Sequence, residues 1–254
     1  MRKLIAACAV ALALGAGTAY AAARVSPAVA HAVATPTRPA TDTVRDPLRL
    51  PAQILAFTGI KKGDKVVDFW PGGGYFTRLF SPLVGPTGKV FAISPQELVD
   101  KFGDRAKASM EKLRNDPNTP NVTGIFAPAA TFGAPEQVDV VFTMQNYHDL
   151  HAKFMEGTDV GAFNRAVFAA LKPGGYFIVG DHAAAPGAPI SSAEDLHRID
   201  PAIVRKEVEA AGFVYVGSLD VLRRADDPHT ARIFETEIHD KTDRFILKFR
   251  KPRR

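Results

Sequence analysis

Residues 143–151, TMQNYHDLH, bring together side chains that can move protons or bind metal ions. These side chains are Gln145, Asn146, His148, Asp149 and His151. Histidine titrates near neutral pH, so His148 is our first candidate for a general base. His148 and His151 have a spacing that allows two imidazoles to share a metal ion, although the glutamate of an H-E-x-x-H motif is missing. A polar loop with hydrogen-bonded histidines is the alternative interpretation.

Two later stretches carry further histidines. VGDHAAAPGAP, residues 179–189, places His182 at a predicted strand end and continues with small residues that would suit a lid or a substrate wall. SSAEDLHRIDP, residues 191–201, places His197 just before a predicted helix. Asp200 is expected to be the N-cap of that helix. If the first loop folds over the sheet edge, His197 and Arg198 could reach the same cavity. We regard His182 and His197 as weaker catalytic candidates than His148.

A glycine-rich turn follows an apolar run in KVVDFWPGGGYFT, residues 65–77. Glycines allow backbone N–H groups to approach a ligand, and a helix that starts there favours an anionic group. The turn begins after Asp68, and its glycines include Gly72 and Gly74. Trp70 stands where a small residue is expected. The alternatives are a ligand-binding turn and a turn that only allows close packing of strand and helix.

The chemistry-bearing stretches fall at the ends of predicted strands in an alternating pattern of strand and helix. We predict strands at 65–69, 89–93, 121–126, 138–143 and 176–180, and a late pair within 213–222 and 244–249. We predict helices at 48–58, 74–83, 95–115, 162–171 and 201–212. The pattern indicates an α/β fold with a doubly wound, mostly parallel sheet and helices on both faces. Ligands of such folds bind beyond the carboxyl ends of the strands.

The amino terminus predicts export. Arg2 and Lys3 precede an apolar run and small residues in an A-x-A pattern, which is typical of a secretory signal peptide over residues 1–23. The run is too short to span a bilayer, so we expect no integral membrane segment after cleavage. We expect residues 24–44, rich in Ala, Pro and Thr, to be a flexible linker. Residues 45–254 would then form one domain, periplasmic or secreted.

Composition excludes several classes of function. Cys8 is the only cysteine and lies in the signal segment, so the mature chain would have no disulfide and no cysteine nucleophile. The net charge is +5, but no basic stripe with interleaved aromatic residues appears, so we predict no nucleic-acid partner. The expected partner is a small-molecule substrate. The sequence does not predict an oligomeric state.

Taken together, the motifs resemble those of the class I S-adenosylmethionine-dependent methyltransferases. The resemblance covers about residues 46–251 and is carried by VVDFWPGGGYFTRLF, VDVVFTMQNYHDLH, LKPGGYFIVGDH and AAGF. WPGGGYFT and LHRIDP are similar to a subgroup of exported members of this family.

The resemblance implies a seven-stranded sheet with an antiparallel last strand and S-adenosylmethionine as cofactor. It places Asp68, Gly72 and Gly74 at the methionine end, Ser94 near the ribose, and Gln145 and Asn146 near the sulfonium and the substrate. This chain departs from the family pattern D/E-x-G-x-G-x-G at Trp70, which replaces the first glycine and is also assigned to the cofactor site. It departs again at Ser94, where the family has an acid.

Three hypotheses about function follow. The first is methyl transfer to an unidentified small-molecule acceptor, with His148, His182 and His197 as catalytic candidates. The second is a catalytically inactive binding protein of the cell envelope on the same fold. The third is a metal-dependent hydrolase that would use His148, His151, Asp181 and His182, although we assign no metal site from the sequence.

Overall fold

The computed structural model describes residues 24–253, and the predicted signal peptide lies outside them. Its centre is a seven-stranded sheet with the order β3-β2-β1-β4-β5-β7-β6. The strands are β1 (Lys65–Phe69), β2 (Lys89–Pro95), β3 (Val122–Ala127), β4 (Val138–Met144), β5 (Leu171–His182), β6 (Val214–Ser218) and β7 (Arg244–Arg250). Strands β1 to β5 pair in parallel, and β7 is antiparallel to both β5 and β6. The predicted fold class is confirmed.

The strand order reverses at β1, which pairs with β2 on one side and with β4 on the other. Because β1 to β5 are parallel, their carboxyl ends lie along one edge of the sheet. The loops that follow them therefore meet there, at the position where doubly wound folds bind ligands.

Helices cover both faces of the sheet. They are α1 (Pro27–Ala34), α2 (Ala40–Thr43), α3 (Asp46–Arg49), α4 (Pro51–Thr58), α5 (Thr77–Val84), α6 (Gln96–Phe102), α7 (Asp104–Arg114), α8 (Val160–Ala170), α9 (Ser192–Leu196) and α10 (Pro201–Ala210). Successive side chains of a strand point to opposite faces. Val66 accordingly joins a core cluster with α1, α4 and α5, whereas Val67 joins a second cluster with α8 and α10.

Two predicted helices are each divided in two. Residues 95–115 form α6 and α7 because Gly103 adopts a φ of 51° between them. Residues 48–58 fall within α3 and α4, with Leu50 at a φ of 45°. Leu50 precedes Pro51, and the residue before a proline is sterically disfavoured in the α-helical region.

The amino-terminal segment corrects the prediction of a flexible linker over residues 24–44. It contains α1, whose first turn is capped by the Ser26 hydroxyl, which accepts a hydrogen bond from the Val29 N–H at 3.2 Å. Val29 and Ala32 lie one helical turn apart and are buried in the same core cluster as α5. The structured domain therefore begins before residue 45. Across the described residues, no helix has the length and hydropathy needed to cross a membrane.

We predict that Ala32→Asp lowers the free energy of unfolding by about 2 kcal/mol or more, because it places a carboxylate without a partner in a buried site. Ala30→Asp is the matched control, since Ala30 lies on the exposed face of the same helix and should change stability by less than about 0.5 kcal/mol. Urea unfolding measures both. Equal, small effects would mean that α1 is not part of the folded core.

Candidate functional site

Three cavities lie in a row along the carboxyl edge of the sheet. The turn cavity, of about 200 Å³, is lined by Trp70 and Pro71 at the start of the glycine-rich turn, and by Arg49 and Tyr75. The histidine cavity, of about 410 Å³, is lined by His148, His182 and His197. The Ser94 cavity, of about 270 Å³, lies between the end of β2 and the helices α6 and α7.

Shared wall residues show that the three cavities are neighbours. Trp70, Gln145 and Asn146 line both the turn cavity and the histidine cavity. Leu98 and Phe102 line both the histidine cavity and the Ser94 cavity. The row is therefore suited to an elongated ligand with one end in the turn cavity and the other in the Ser94 cavity. A second molecule could bind beside the middle of that ligand, in the histidine cavity.

Asp68 is the penultimate residue of β1, lines the turn cavity and is almost completely buried. Its Oδ2 accepts a hydrogen bond from the Thr77 hydroxyl at 2.6 Å, which ties β1 to the first residue of α5. Burial raises the pKa of Asp68 to about 7, although hydrogen bonds from the Thr77 side chain and backbone and the charge of Arg78 oppose this. A cation in the turn cavity would favour its ionised form.

Trp70 keeps the backbone geometry of a glycine. Its φ is 63°, in the left-handed region that glycine adopts without strain, and its N–H donates to the Ile93 carbonyl at 2.7 Å. The indole packs edge-on against Phe69 and Phe154, with ring centroids 6.4 and 6.1 Å away. Trp70 is therefore a wall between the turn cavity and the histidine cavity.

The two glycines assigned from the sequence have different surroundings. A Cβ on Gly72 would meet nothing within 4 Å, and Gly72 is exposed, so this side of the turn is open to solvent. A Cβ on Gly74 would lie 2.1 Å from Leu113 Cδ2, and the Gly74 N–H already donates to the Pro71 carbonyl. The geometry thus gives Gly74 a role in packing α7 against the turn.

Arg49 brings a positive charge to the turn cavity. Its guanidinium lies over the Tyr75 ring, 4.6 Å from the centroid, and its buried Nε has no hydrogen-bond partner among the described residues. The Tyr75 hydroxyl donates to Asp46 at 2.6 Å, so the ring beneath Arg49 is held in place. A buried donor without an acceptor is costly, and a ligand carboxylate would satisfy it.

His148 is held by a buried carboxylate at the end of β5. Asp181 accepts hydrogen bonds from the His148 backbone N–H at 2.7 Å and from the His148 Nδ1–H at 2.8 Å. Nδ1 is thereby occupied, and Nε2 lies 3.4 Å from Asp149 Oδ1 in the histidine cavity. Burial alone would lower the pKa of His148, but the charge and hydrogen bond of Asp181, aided by Asp149, raise it to about 9.

His182 lines the same cavity, but both of its ring nitrogens are engaged. Nε2 lies 2.9 Å from Gln145 Nε2, and Nδ1 lies 2.7 Å from Thr242 Oγ1. Burial lowers the pKa of His182 well below its usual value, with help from the charges of His148 and Arg244. The neutral ring therefore accepts from the Gln145 amide at Nε2 and donates to Thr242 from Nδ1.

His197 lines the histidine cavity from the end of α9. Its Nδ1 lies 3.7 Å from Asp149 Oδ1, and its ring packs against Phe234. Its neighbour Arg198 is fully buried and forms a bidentate ion pair with Asp227 at 2.8 and 3.0 Å. This pair anchors the irregular segment 224–243, which supplies Phe234 to the cavity wall.

Two other sequence predictions have clear outcomes. Asp200 is the N-cap of α10, accepting a hydrogen bond from the Ala202 N–H at 2.8 Å, as predicted. The metal set of the hydrolase hypothesis does not converge, because His151 contacts Glu207 at 3.2 Å while His182 is held by Gln145 and Thr242.

Strained backbone is concentrated around the histidine cavity. Seven described non-glycine residues have positive φ, and four of them line this cavity. The four are Trp70, Gln145, His197 and Asp240. Such conformations cost about 1–3 kcal/mol each and are retained mostly at functional sites.

The sequence analysis missed several residues of the walls. They are Arg49, Leu98, Phe102, Phe154 and Phe234. No local pattern marks them, because they come from helices and from an irregular segment that only the fold brings to the edge. Asp181 had a detectable signal, since an acid at the end of a buried strand, next to a histidine, is unusual in a structural role alone.

Comparisons with known proteins give partial sequence matches and fold matches to methyltransferases. No protein-family model matches the chain. The ubiquinone/menaquinone biosynthesis C-methyltransferase UbiE of Pasteurella multocida is 34% identical over 126 residues, which are 48% of this chain and 41% of that protein. The chain spans about half the length of the curated relatives it matches.

Solved structures extend the match across the domain. A S-adenosylmethionine-dependent methyltransferase from Aquifex aeolicus superposes with a TM-score of 0.55 at 21% identity, covering 82% of this chain and 94% of that one. The fold is that of the class I S-adenosylmethionine-dependent methyltransferases.

The methyltransferase fold by itself does not specify the reaction. The [4+2]-cyclase SpnF also superposes on the chain, with a TM-score of 0.54 at 16% identity over 84% of this chain and 81% of that one. Function therefore has to be argued from the cavities.

We predict that Asp68→Asn changes how stability depends on pH. The folded pKa of about 7 lies above the usual 3.8, so the folded state binds more protons than the unfolded state between these values. The contribution of Asp68 to stability therefore falls as pH rises from about 4 to about 7. Relative to wild type, Asp68→Asn should gain on the order of a few kcal/mol across this range, measured by urea unfolding at a series of pH values.

Asp220→Asn is the control, since Asp220 is an exposed aspartate. Its unfolding free energy should keep a constant difference from wild type over the same range. A constant difference for Asp68→Asn as well would contradict the buried, proton-binding carboxylate.

Proposed function

We propose that this protein transfers a methyl group from S-adenosylmethionine to a small, planar acceptor molecule. The main observation behind the proposal is the row of three neighbouring cavities at the carboxyl edge of a class I methyltransferase fold. At one end of the row lies the Arg49 Nε, which is buried and has no hydrogen-bond partner within residues 24–253. The known relatives and solved structures with this fold include S-adenosylmethionine-dependent enzymes.

The residues of the chain fit the chemical groups of this cofactor. Arg49 would hold the methionine carboxylate, and Asp68 offers a buried carboxylate for a positively charged group. Gly72 leaves space beside the turn. At the other end, Ser94 offers a hydroxyl for the ribose, and Phe102 offers an apolar face for the adenine.

The histidine cavity suits a flat acceptor. When bound, S-adenosylmethionine supplies a methyl group on a sulfonium, which is an excellent leaving group. Trp70, Phe154 and Phe234 would enclose an aromatic ring and exclude water from it. The relatives named for ubiquinone and menaquinone biosynthesis make a quinone-like ring one candidate class of acceptor.

Among the candidate histidines, His148 has the geometry for acid–base work. Asp181 fixes its Nδ1 as a donor and leaves Nε2 toward the cavity. His182 could transfer a proton only after breaking its hydrogen bond to Gln145 or to Thr242. The Nδ1 of His197 faces Asp149, whose Oδ1 lies 3.7 Å away. We therefore assign proton transfer to His148 Nε2, with His182 and His197 shaping the cavity.

The proposal includes export to the periplasm or beyond the cell, because residues 1–23 have the pattern of a secretory signal. A catalytically inactive binding protein on the same fold is the competing function, favoured by Trp70 and Ser94 at positions where the family has glycine and acid. Cofactor binding and turnover distinguish the two.

The test is calorimetric titration of the full chain with S-adenosylmethionine and, separately, S-adenosylhomocysteine. We expect one site with micromolar affinity for each ligand. Arg49→Gln should weaken binding of both by about tenfold or more, because it removes the donor to their shared carboxylate.

Arg45→Gln is the matched control. It removes the same charge from the same segment, but Arg45 is half-exposed and pairs with Asp240 at the histidine cavity. It should change the affinity by less than about twofold. Absence of heat at millimolar concentrations of either ligand would overturn the proposal and favour the inactive binding protein.

A further inference from the structure

We propose that His148, Asp149 and His197 bind a divalent first-row transition metal ion in the histidine cavity. Their ligand atoms lie within 4.8 Å of one another, the only such group found among the described residues. Two imidazoles and one carboxylate are ligands that zinc, cobalt and ferrous iron accept, usually with positions left open for another molecule.

The distances fit a metal site that closes slightly on binding. His148 Nε2 and His197 Nδ1 lie 3.4 and 3.7 Å from Asp149 Oδ1. Neighbouring ligands of a tetrahedral zinc ion are separated by about 3.4 Å, given bond lengths of about 2.1 Å. The three ligand atoms lie within 4.8 Å of one another, so the largest distance between two of them would have to shorten when a metal binds. Movement of His197 would allow this, because its side chain is partly exposed.

The surroundings of His148 are those of a metal ligand. A ligating histidine usually donates its second N–H to a carboxylate, which fixes the ring and directs the other nitrogen to the metal. Asp181 does this here, accepting from Nδ1–H at 2.8 Å while also holding the His148 backbone N–H. Nε2 is the nitrogen left toward Asp149 and the cavity.

His197 is placed by a strained backbone. It caps the end of α9 with a φ of 53°, and its ring is packed against those of His148 and Phe234, with centroids 5.4 and 4.9 Å away. Glycine is preferred at such a helix end, because a side chain makes the left-handed conformation less favourable. A metal ion shared with His148 and Asp149 would account for this strain, because the strained backbone directs the His197 Nδ1 toward their ligand atoms.

The metal set differs from that of the hydrolase hypothesis. It keeps His148 but replaces His151, Asp181 and His182 with Asp149 and His197. The site stands on this geometry and does not require the proposed methyl transfer. If that function holds as well, which this one step assumes, the ion would bind an acceptor hydroxyl oxygen and lower its pKa, and the released proton would pass to solvent. With the metal bound, His148 Nε2 would be a metal ligand, and this role would replace the proton transfer assigned to it in the metal-free protein.

The test begins with full-length protein stripped of metal by dialysis against a chelator. Zn²⁺ is titrated by calorimetry, and Co²⁺ binding is followed by its visible absorption bands. We expect one ion per chain, with micromolar or tighter affinity for Zn²⁺. Asp149→Asn and His197→Gln should each weaken Zn²⁺ binding by about 100-fold, and both positions are partly exposed, so the variants should fold, as checked by circular dichroism.

His151→Gln is the matched control, because His151 lies in the same loop but contacts Glu207. It should bind Zn²⁺ as wild type does. No saturable binding, or binding that Asp149→Asn and His197→Gln both leave unchanged, would overturn the metal site. Titration of the metal-free protein with S-adenosylhomocysteine tests the proposed function separately, so failure of one proposal is distinguishable from failure of the other.

Discussion

The candidate site depends on one carboxylate, Asp181, which has no exposed surface. Its two oxygens accept three hydrogen bonds, from the His148 backbone N–H, the His148 ring and the His182 backbone N–H. These bonds fasten the loop after β4 to the end of β5. A buried charge is tolerated only when it is fully hydrogen-bonded, so the same interaction that satisfies Asp181 also fixes the position and the orientation of the His148 ring.

The sheet places Asp181 at the edge where doubly wound folds bind ligands. Parallel pairing of β1, β2, β4 and β5 brings their following loops to one edge, and the reversal of strand order at β1 opens the crevice between those loops. Trp70 keeps the chain path of a glycine turn while adding an indole wall between the turn cavity and the histidine cavity. The departure from the family pattern thus alters the lining of the crevice and leaves its position unchanged.

Much of the fold could be predicted from the sequence, because strands and caps are local patterns. β1 occupies the predicted residues 65–69, and Asp200 caps α10 as its residue type and position indicate. α1 was missed because alanines in a Pro- and Thr-rich stretch give little amphipathic signal. The helix is buried by packing against α5, and the sequence does not reveal that contact. The pairing of Asp181 with His148, and of Asp149 with His197, joins residues far apart in the chain, and single-sequence periodicity carries no information on such contacts.

The central claim is that the turn cavity and the Ser94 cavity hold the two ends of an elongated cofactor, with the histidine cavity between them for the acceptor. A crystal structure of the protein with S-adenosylhomocysteine tests it most directly. The account predicts the carboxylate of the ligand at Arg49 and its adenosine between Ser94 and Phe102, with the histidine cavity left for the acceptor. A ligand bound elsewhere, or an empty row of cavities in crystals grown at saturating concentration, would contradict it.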